Sequence, residues 1–118
     1  MKKWIPAAAT AASAYLIAIA PRLCERPERM PKVYYAHRGL HDNISDAPEN
    51  SLAAFQKAVD AGYGIELDVQ MTADGKVVVV HDFNLKRISG VDKEIDQCTY
   101  EELQDYPIYG SDQRVPLF

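Results

Sequence analysis

Residues 33–118 are predicted to form an α/β fold, and three observations point there. Residues 33–36 are a short run of β-formers, residues 52–61 have helical spacing, and residues 65–71 alternate strictly between apolar and polar. Strand, helix, strand in that order favours a parallel pair joined through the helix. At 118 residues, 47% hydrophobic and 25% charged, the composition is that of a folded chain holding one domain at most.

The first element is different in kind. Lys2-Lys3 precedes an uncharged stretch of seventeen residues, 4–20, of which eight are Ala. As a helix it covers about 26 Å, just short of a hydrocarbon core of about 30 Å. Trp4 suits an interfacial position, and Pro6 sits in the first turn, where a helix tolerates it. Residues 1–21 therefore read as a signal anchor or transmembrane helix. A cleaved signal at Ala18-Ile19-Ala20 and a soluble Ala-rich helix are the alternatives. The expected location is the membrane through this anchor, or outside the cell if it is cut, with the side of the membrane left open. Residues 22–32, rich in Pro, Arg and Glu, read as a linker. Residues 1–32 hold six basic and two acidic side chains, a net +4, whereas residues 33–118 hold seven and fifteen, a net −8. An acidic body excludes a nucleic-acid-binding domain. Cys24 and Cys98 have no metal-site spacing and imply no disulfide framework.

The strand at 33–36 ends at His37. Residues 39–49, with Gly, Asn, Asp, Ser and Pro, form a loop. Asn50 or Ser51 caps a helix to about Ala61, with Leu52, Phe55 and Val59 on one face and Gly62 as the stop. In the strand 65–71, Ile65, Leu67, Val69 and Met71 share one face, and Glu66, Asp68 and Gln70 the other. Thr72-Ala73-Asp74-Gly75 is a turn, too short for a helical crossover, so 76–80 is the second arm of a hairpin. A turn centred on Ala73-Asp74 sets Glu66 opposite His81 and Asp68 opposite Val79. The chain is then polar and turn-rich to Thr99, where Thr99-Tyr100-Glu101-Glu102 matches a capping box for a helix to about Tyr106. Residues 107–116 read as loop, and the apolar end at 115–118 lacks a closing element.

The chemistry-bearing residues gather at the strand ends. Glu66-x-Asp68 projects two hard oxygen ligands the same way, a set suited to Ca²⁺ or Mg²⁺ more than to zinc. Taken alone, the pair reads first as two solvated acids on an exposed strand face. In His37-Arg38-Gly39, Arg38 offers two-pronged phosphate recognition and His37 an imidazole that titrates near neutrality. Alone, the tripeptide also fits an ordinary surface loop. His81 ends an apolar strand and reads as either a hydrogen-bonding core residue or an acid–base group, and His41 as a loop residue.

Along the chain these stand as His37-Arg38-Gly39, Pro48-Glu49-Asn50-Ser51, Ala54-Phe55 with Ala58, Glu66-Leu67-Asp68-Val69, Thr72-x-Asp74-Gly75, and His81-Asp82 with Leu85-x-Arg87. Together they closely resemble the glycerophosphodiester phosphodiesterase family over residues 33–118. Ser51 stands where the family often has Thr. The resemblance implies a TIM (β/α)₈ barrel of the phospholipase C-like phosphodiesterase type, its active site at the strand C-termini. It implies His37 and His81 as general acid and base, Arg38 as the phosphate ligand, and Glu66 and Asp68 as ligands of a divalent metal, Ca²⁺ or Mg²⁺. A further Glu ligand is expected beyond residue 118. It also implies an insertion beginning near residue 83, and residues 116–118 as the start of a helix leading to a fourth strand. A complete barrel needs roughly 200 residues or more, so the likeness implies the N-terminal part of a longer enzyme, with residues 33–118 a truncated catalytic domain. The implied reaction is hydrolysis of a glycerophosphodiester to sn-glycerol 3-phosphate and an alcohol. The rivals are a related phospholipase acting on other lipid phosphodiesters, and a non-catalytic, membrane-anchored module that binds metal or phosphate.

Overall fold

The computed structural model describes residues 32–118 and, nearer the N-terminus, Ser13, Tyr15 and Leu16, which are helical. The chain divides into two compact units, Met1–Pro31 and Lys32–Phe118. The expected anchor at 1–21 and linker at 22–32 otherwise lie outside the described residues. Among the described residues no helix is long and apolar enough to cross a membrane.

In the body, strand β1 (Tyr35–His37) pairs in parallel with β2 (Gly64–Glu66), and helix α1 (Leu52–Asp60) is the crossover between them. The register places Ala36 beside Ile65 and His37 beside Glu66. Ser51 is the N-cap, its hydroxyl accepting from the Ala54 N–H, so the helix starts where the sequence predicts. The buried face is not the expected one. Leu52 and Val59 are exposed, and Ala54 and Ala58 face inward. The reason is close approach: the Leu40 N–H donates to the Ala54 carbonyl at 3.0 Å, and at that distance only small side chains fit.

Gly39 lies in the same contact, at φ +83°, where a Cβ would meet Ala54 at 2.9 Å. Gly75 has a similar φ, +75°, with nothing within 4 Å. Gly39→Ala is therefore expected to lower stability by roughly 1–3 kcal/mol more than Gly75→Ala, measured by denaturant unfolding. Equal costs would show that the helix does not hold this loop.

The alternating run at 65–71 is not one strand. It breaks at Leu67-Asp68 into β2 and a further strand, β3 (Val69–Met71), which pairs antiparallel with β4 (Val77–Val79). The break lets the chain leave β1 and take a new partner. The hairpin register also differs from expectation by one residue: Val69 opposes Val79, and the Val80 N–H donates to the Asp68 carbonyl. The cause is the turn. Thr72 and Lys76 close a loop centred on Asp74, with the Thr72 hydroxyl bonded to the Asp74 carboxylate and the Lys76 N–H bonded to that hydroxyl. A shift of one residue moves each side chain to the other face. Because β2 ends at Glu66 and pairs with β1, Glu66 lies beside His37 rather than His81, and the shifted register sets Asp68 opposite Val80 rather than Val79.

The segment after residue 83, expected as polar turns, a short helix and a loop, holds half of the described buried apolar residues. Leu85, Ile88, Ile95, Cys98, Leu103, Ile108 and Val115 pack with Val78 and Val80 of the hairpin. Helices α2 (Lys86–Ser89) and α3 (Tyr100–Leu103) and a 3₁₀ turn at Ile95–Gln97 carry these residues. The capping box at Thr99 and Glu102 forms as expected, but the helix ends at Leu103. Residues 116–118 do not begin a helix. Leu117 bridges antiparallel to Val78, and the Phe118 N–H donates to Val77, so the apolar end lies along the second edge of β4.

Candidate active site

The predicted residues occupy the C-terminal ends of β1, β2 and β4 and the break between β2 and β3. His37 and Glu66 end neighbouring parallel strands in register, so their side chains leave the sheet on one face. The His37 Nε2 to Glu66 Oε2 distance is 3.9 Å. Arg38 follows with φ +58°, a left-handed conformation that a non-glycine residue keeps only where its surroundings enforce it. Here the Arg38 N–H donates to the Glu66 carbonyl, and its own carbonyl accepts from Asn50, at 2.9 Å each.

The Arg38 side chain is largely buried between two acids. Nη1 donates to Glu49 Oε1 at 3.2 Å, and Nε lies 3.1 Å from Asp68 Oδ2 without the alignment of a hydrogen bond. Nη2 makes no hydrogen bond among the described residues. Asp68 is held in turn by Asn50, whose amide donates to Oδ2 at 3.1 Å. Asn50 itself has φ +55°, which Asn accepts more readily than most residues.

His81 follows β4, with its Nδ1 2.6 Å from Asp82 Oδ1. The Arg87 guanidinium bonded to Asp82 holds its carboxyl down at about 2, against the opposing effect of burial and with His81 assisting. An ionised carboxylate only accepts, so Nδ1 carries the proton and Nε2 is the open nitrogen. Asp82, His81 and Asp68 line an open cleft of about 870 Å³, together with Phe83, Asp92 and Glu94.

A folded-state value below the ordinary 3.8 means that Asp82 contributes stability above that value and loses it as pH falls from 3.8 toward 2. On the order of 2 kcal/mol should disappear over that interval. Unfolding free energies measured from pH 5 to 2 should fall less steeply in Asp82→Asn; parallel curves for the two proteins would refute the pairing.

Four residues join the site without having been given a role from the sequence: Glu49, Asn50, Asp82 and Arg87. All stand in the motifs quoted above, yet spacing alone gives no hint of their contacts. Burial raises the Glu49 carboxyl, but bonds from Arg87 and Asn43 and the charge of Arg38 outweigh it and leave it below the usual range. Tyr109, whose hydroxyl is bonded to Arg87, had no sequence signal at all.

A model of the glycerophosphoryl diester phosphodiesterase family matches residues 37–118. The chain belongs to this family. A glycerophosphodiester phosphodiesterase of Bacillus altitudinis is 45% identical over 76 residues, covering 64% of this chain and 29% of the enzyme. A human lysophospholipase D is 37% identical over 105 residues, covering 78% of the chain and 32% of that protein. Among solved structures, the Thermotoga maritima glycerophosphodiester phosphodiesterase aligns with TM-score 0.59 at 38% identity, covering 75% of this chain and 37% of that one. An Oleispira antarctica phosphodiesterase in complex with the product sn-glycerol-3-phosphate aligns with TM-score 0.62 at 28% identity, covering 73% and 36%. The chain thus spans about a third of the length of the relatives it matches, and its fold is that of the corresponding part of these barrel enzymes.

The family implies a divalent metal, and the donor chemistry fits one. Glu66 and Asp68 are hard oxygen donors at adjoining strand ends. Among the described residues, hydrogen bonds and ion pairs occupy only one oxygen of each carboxylate. No group of three or more His, Cys, Asp or Glu side chains converges among the described residues. Glu66 and Asp68 are thus two donors of the kind a hard cation takes, with the rest of its shell left to water, phosphate oxygens or further ligands.

Proposed function

We propose that the full-length protein hydrolyses glycerophosphodiesters to sn-glycerol 3-phosphate and an alcohol in a metal-dependent reaction. The observation that carries this reading is the register of β1 and β2, which sets His37 beside Glu66 with Arg38 fixed between Glu49 and Asp68. Glu66 and Asp68 would hold the divalent cation, Ca²⁺ or Mg²⁺, which when bound neutralises phosphate charge. Arg38 directs its remaining donors to the phosphate and, being braced on both sides, needs no reorganisation to bind it. One imidazole takes the proton of the nucleophile, water or the neighbouring glycerol hydroxyl, and the other protonates the leaving alkoxide. His81 does its share through Nε2. That a related structure holds sn-glycerol-3-phosphate supports the assignment of the product.

The test is release of glycerol 3-phosphate from glycerophosphocholine by the full-length protein with Ca²⁺ or Mg²⁺ added. Turnover should vanish with EDTA and return with metal. No release with either cation would sink the proposal. Residues 1–21 are proposed to anchor the protein at a membrane, and carbonate-resistant pelleting of the intact chain, lost when 1–21 are deleted, is the matching result.

A further inference from the structure

The roles given so far leave two charged side chains unexplained, Glu49 and Arg87. The Glu49 side chain is only 7% exposed. A carboxylate so placed is costly unless it is paired. Its Oε1 accepts from both Arg38 Nη1, at 3.2 Å, and Arg87 Nη2, at 2.6 Å. Arg87 in turn grips Asp82 with two prongs, Nε to Oδ2 at 2.7 Å and Nη2 to Oδ1 at 3.0 Å. Asp82 Oδ1 is the atom that meets His81 Nδ1. The Tyr109 hydroxyl holds the remaining arm of Arg87, and Tyr109 is fixed at φ +50° with its N–H on the Ile88 carbonyl. An unbroken path of charged groups therefore connects Arg38 with the imidazole of His81, although the two residues lie on separate sheets.

We propose that Arg87 and Glu49 are positioning residues that fix His81 relative to Arg38, so that an imidazole and a phosphate-binding guanidinium keep one spacing. This rests on the diesterase reading of His81 and Arg38. Arg87 acts on the Asp82–His81 pair, and Glu49 acts on both ends, because a single oxygen serves both guanidinium groups. A purely structural role would predict the same residues in the same contacts, so the test must read orientation and not folding alone.

Arg87→Lys keeps the charge and loses the planar fork. In the full-length protein it should lower kcat by about 10- to 100-fold with KM within about twofold, because Arg38 still binds the phosphate. Glu49→Gln should raise KM and lower kcat together. ¹⁵N spectra of the imidazoles can follow His81 once its signals are assigned by their loss in His81→Ala. The wild type should show the Nδ1-protonated form, and Arg87→Lys a mixture of tautomers with a melting temperature close to wild type. Wild-type kcat with an unchanged His81 tautomer in Arg87→Lys would overturn the proposal, as would a kcat loss that only tracks the folded fraction. If the wild type cleaves no diester, the functional reading fails, while the tautomer measurement still decides whether Arg87 orients His81.

Discussion

Asp68→Asn in the full-length protein is expected to abolish metal-dependent turnover, a loss of roughly 10³-fold or more and on the order of 4 kcal/mol of transition-state stabilisation. The substitution keeps the shape of the side chain and removes its charge. Asp68 faces Arg38 and Asn50 through Oδ2, and a neutral amide there keeps an oxygen donor but loses the charge that a divalent cation and the Arg38 guanidinium draw on. The fold should survive, because Arg38 retains Glu49 and the Asp68 backbone carbonyl still accepts from Val80. The loss should appear in kcat and in the metal concentration needed for half-maximal rate, with the unfolding midpoint nearly unmoved. Wild-type kcat with unshifted metal dependence would remove Asp68 from the metal site. Glu66→Gln should behave alike, since Glu66 ends the neighbouring strand and its carboxylate is half exposed.

What the sequence revealed and what it hid follow from the range of the interactions. The caps at Ser51 and Thr99 were legible because capping is decided within four residues. The parallel pairing of the first two strands was legible because a helical crossover leaves little choice. The hairpin register was lost by one residue, because a polar turn of this composition closes equally well around Ala73-Asp74 or around Asp74 alone. Which one forms is decided by the Thr72 hydroxyl reaching Asp74 and Lys76. The inward face of α1 was hidden for another reason. Apolar spacing selects Leu52 and Val59, but the approach of Gly39 to Ala54 selects alanine. Residues 83–99 look polar, and 107–116 look like loop, because their buried side chains arrive singly from short turns, with no period to betray them. The contact between Arg87 and Glu49 spans 38 residues and no local pattern encodes it.

His37→Ala and His81→Ala are each expected to lower kcat by about 10²–10⁴-fold, the range for loss of a general acid or base. Their surroundings make this a clean measurement. The side chains are 69% and 46% exposed, so truncating either one opens no cavity and should cost little stability. A kinetic loss can then be assigned to chemistry. The two variants should nonetheless differ in detail. Among the described residues the His37 ring meets one charged partner, Glu66, at 3.9 Å, whereas His81 is held by Asp82 and, through it, by Arg87. Removing His81 strands an ionised Asp82 that Arg87 still neutralises, so the remaining network stays intact. The double variant should be little worse than the poorer single one, since a reaction deprived of one proton-transfer partner gains little from the other. His41→Ala is the comparison, a histidine of the loop after Arg38 whose ring makes no hydrogen bond or ion pair among the described residues, and its kcat should stay within about twofold of wild type. A loss well under tenfold for either His37 or His81 would take that residue out of the acid–base pair. A leaving group whose conjugate acid is a stronger acid should then be cleaved almost normally by whichever variant lacks the general acid, and this assigns the two roles between His37 and His81.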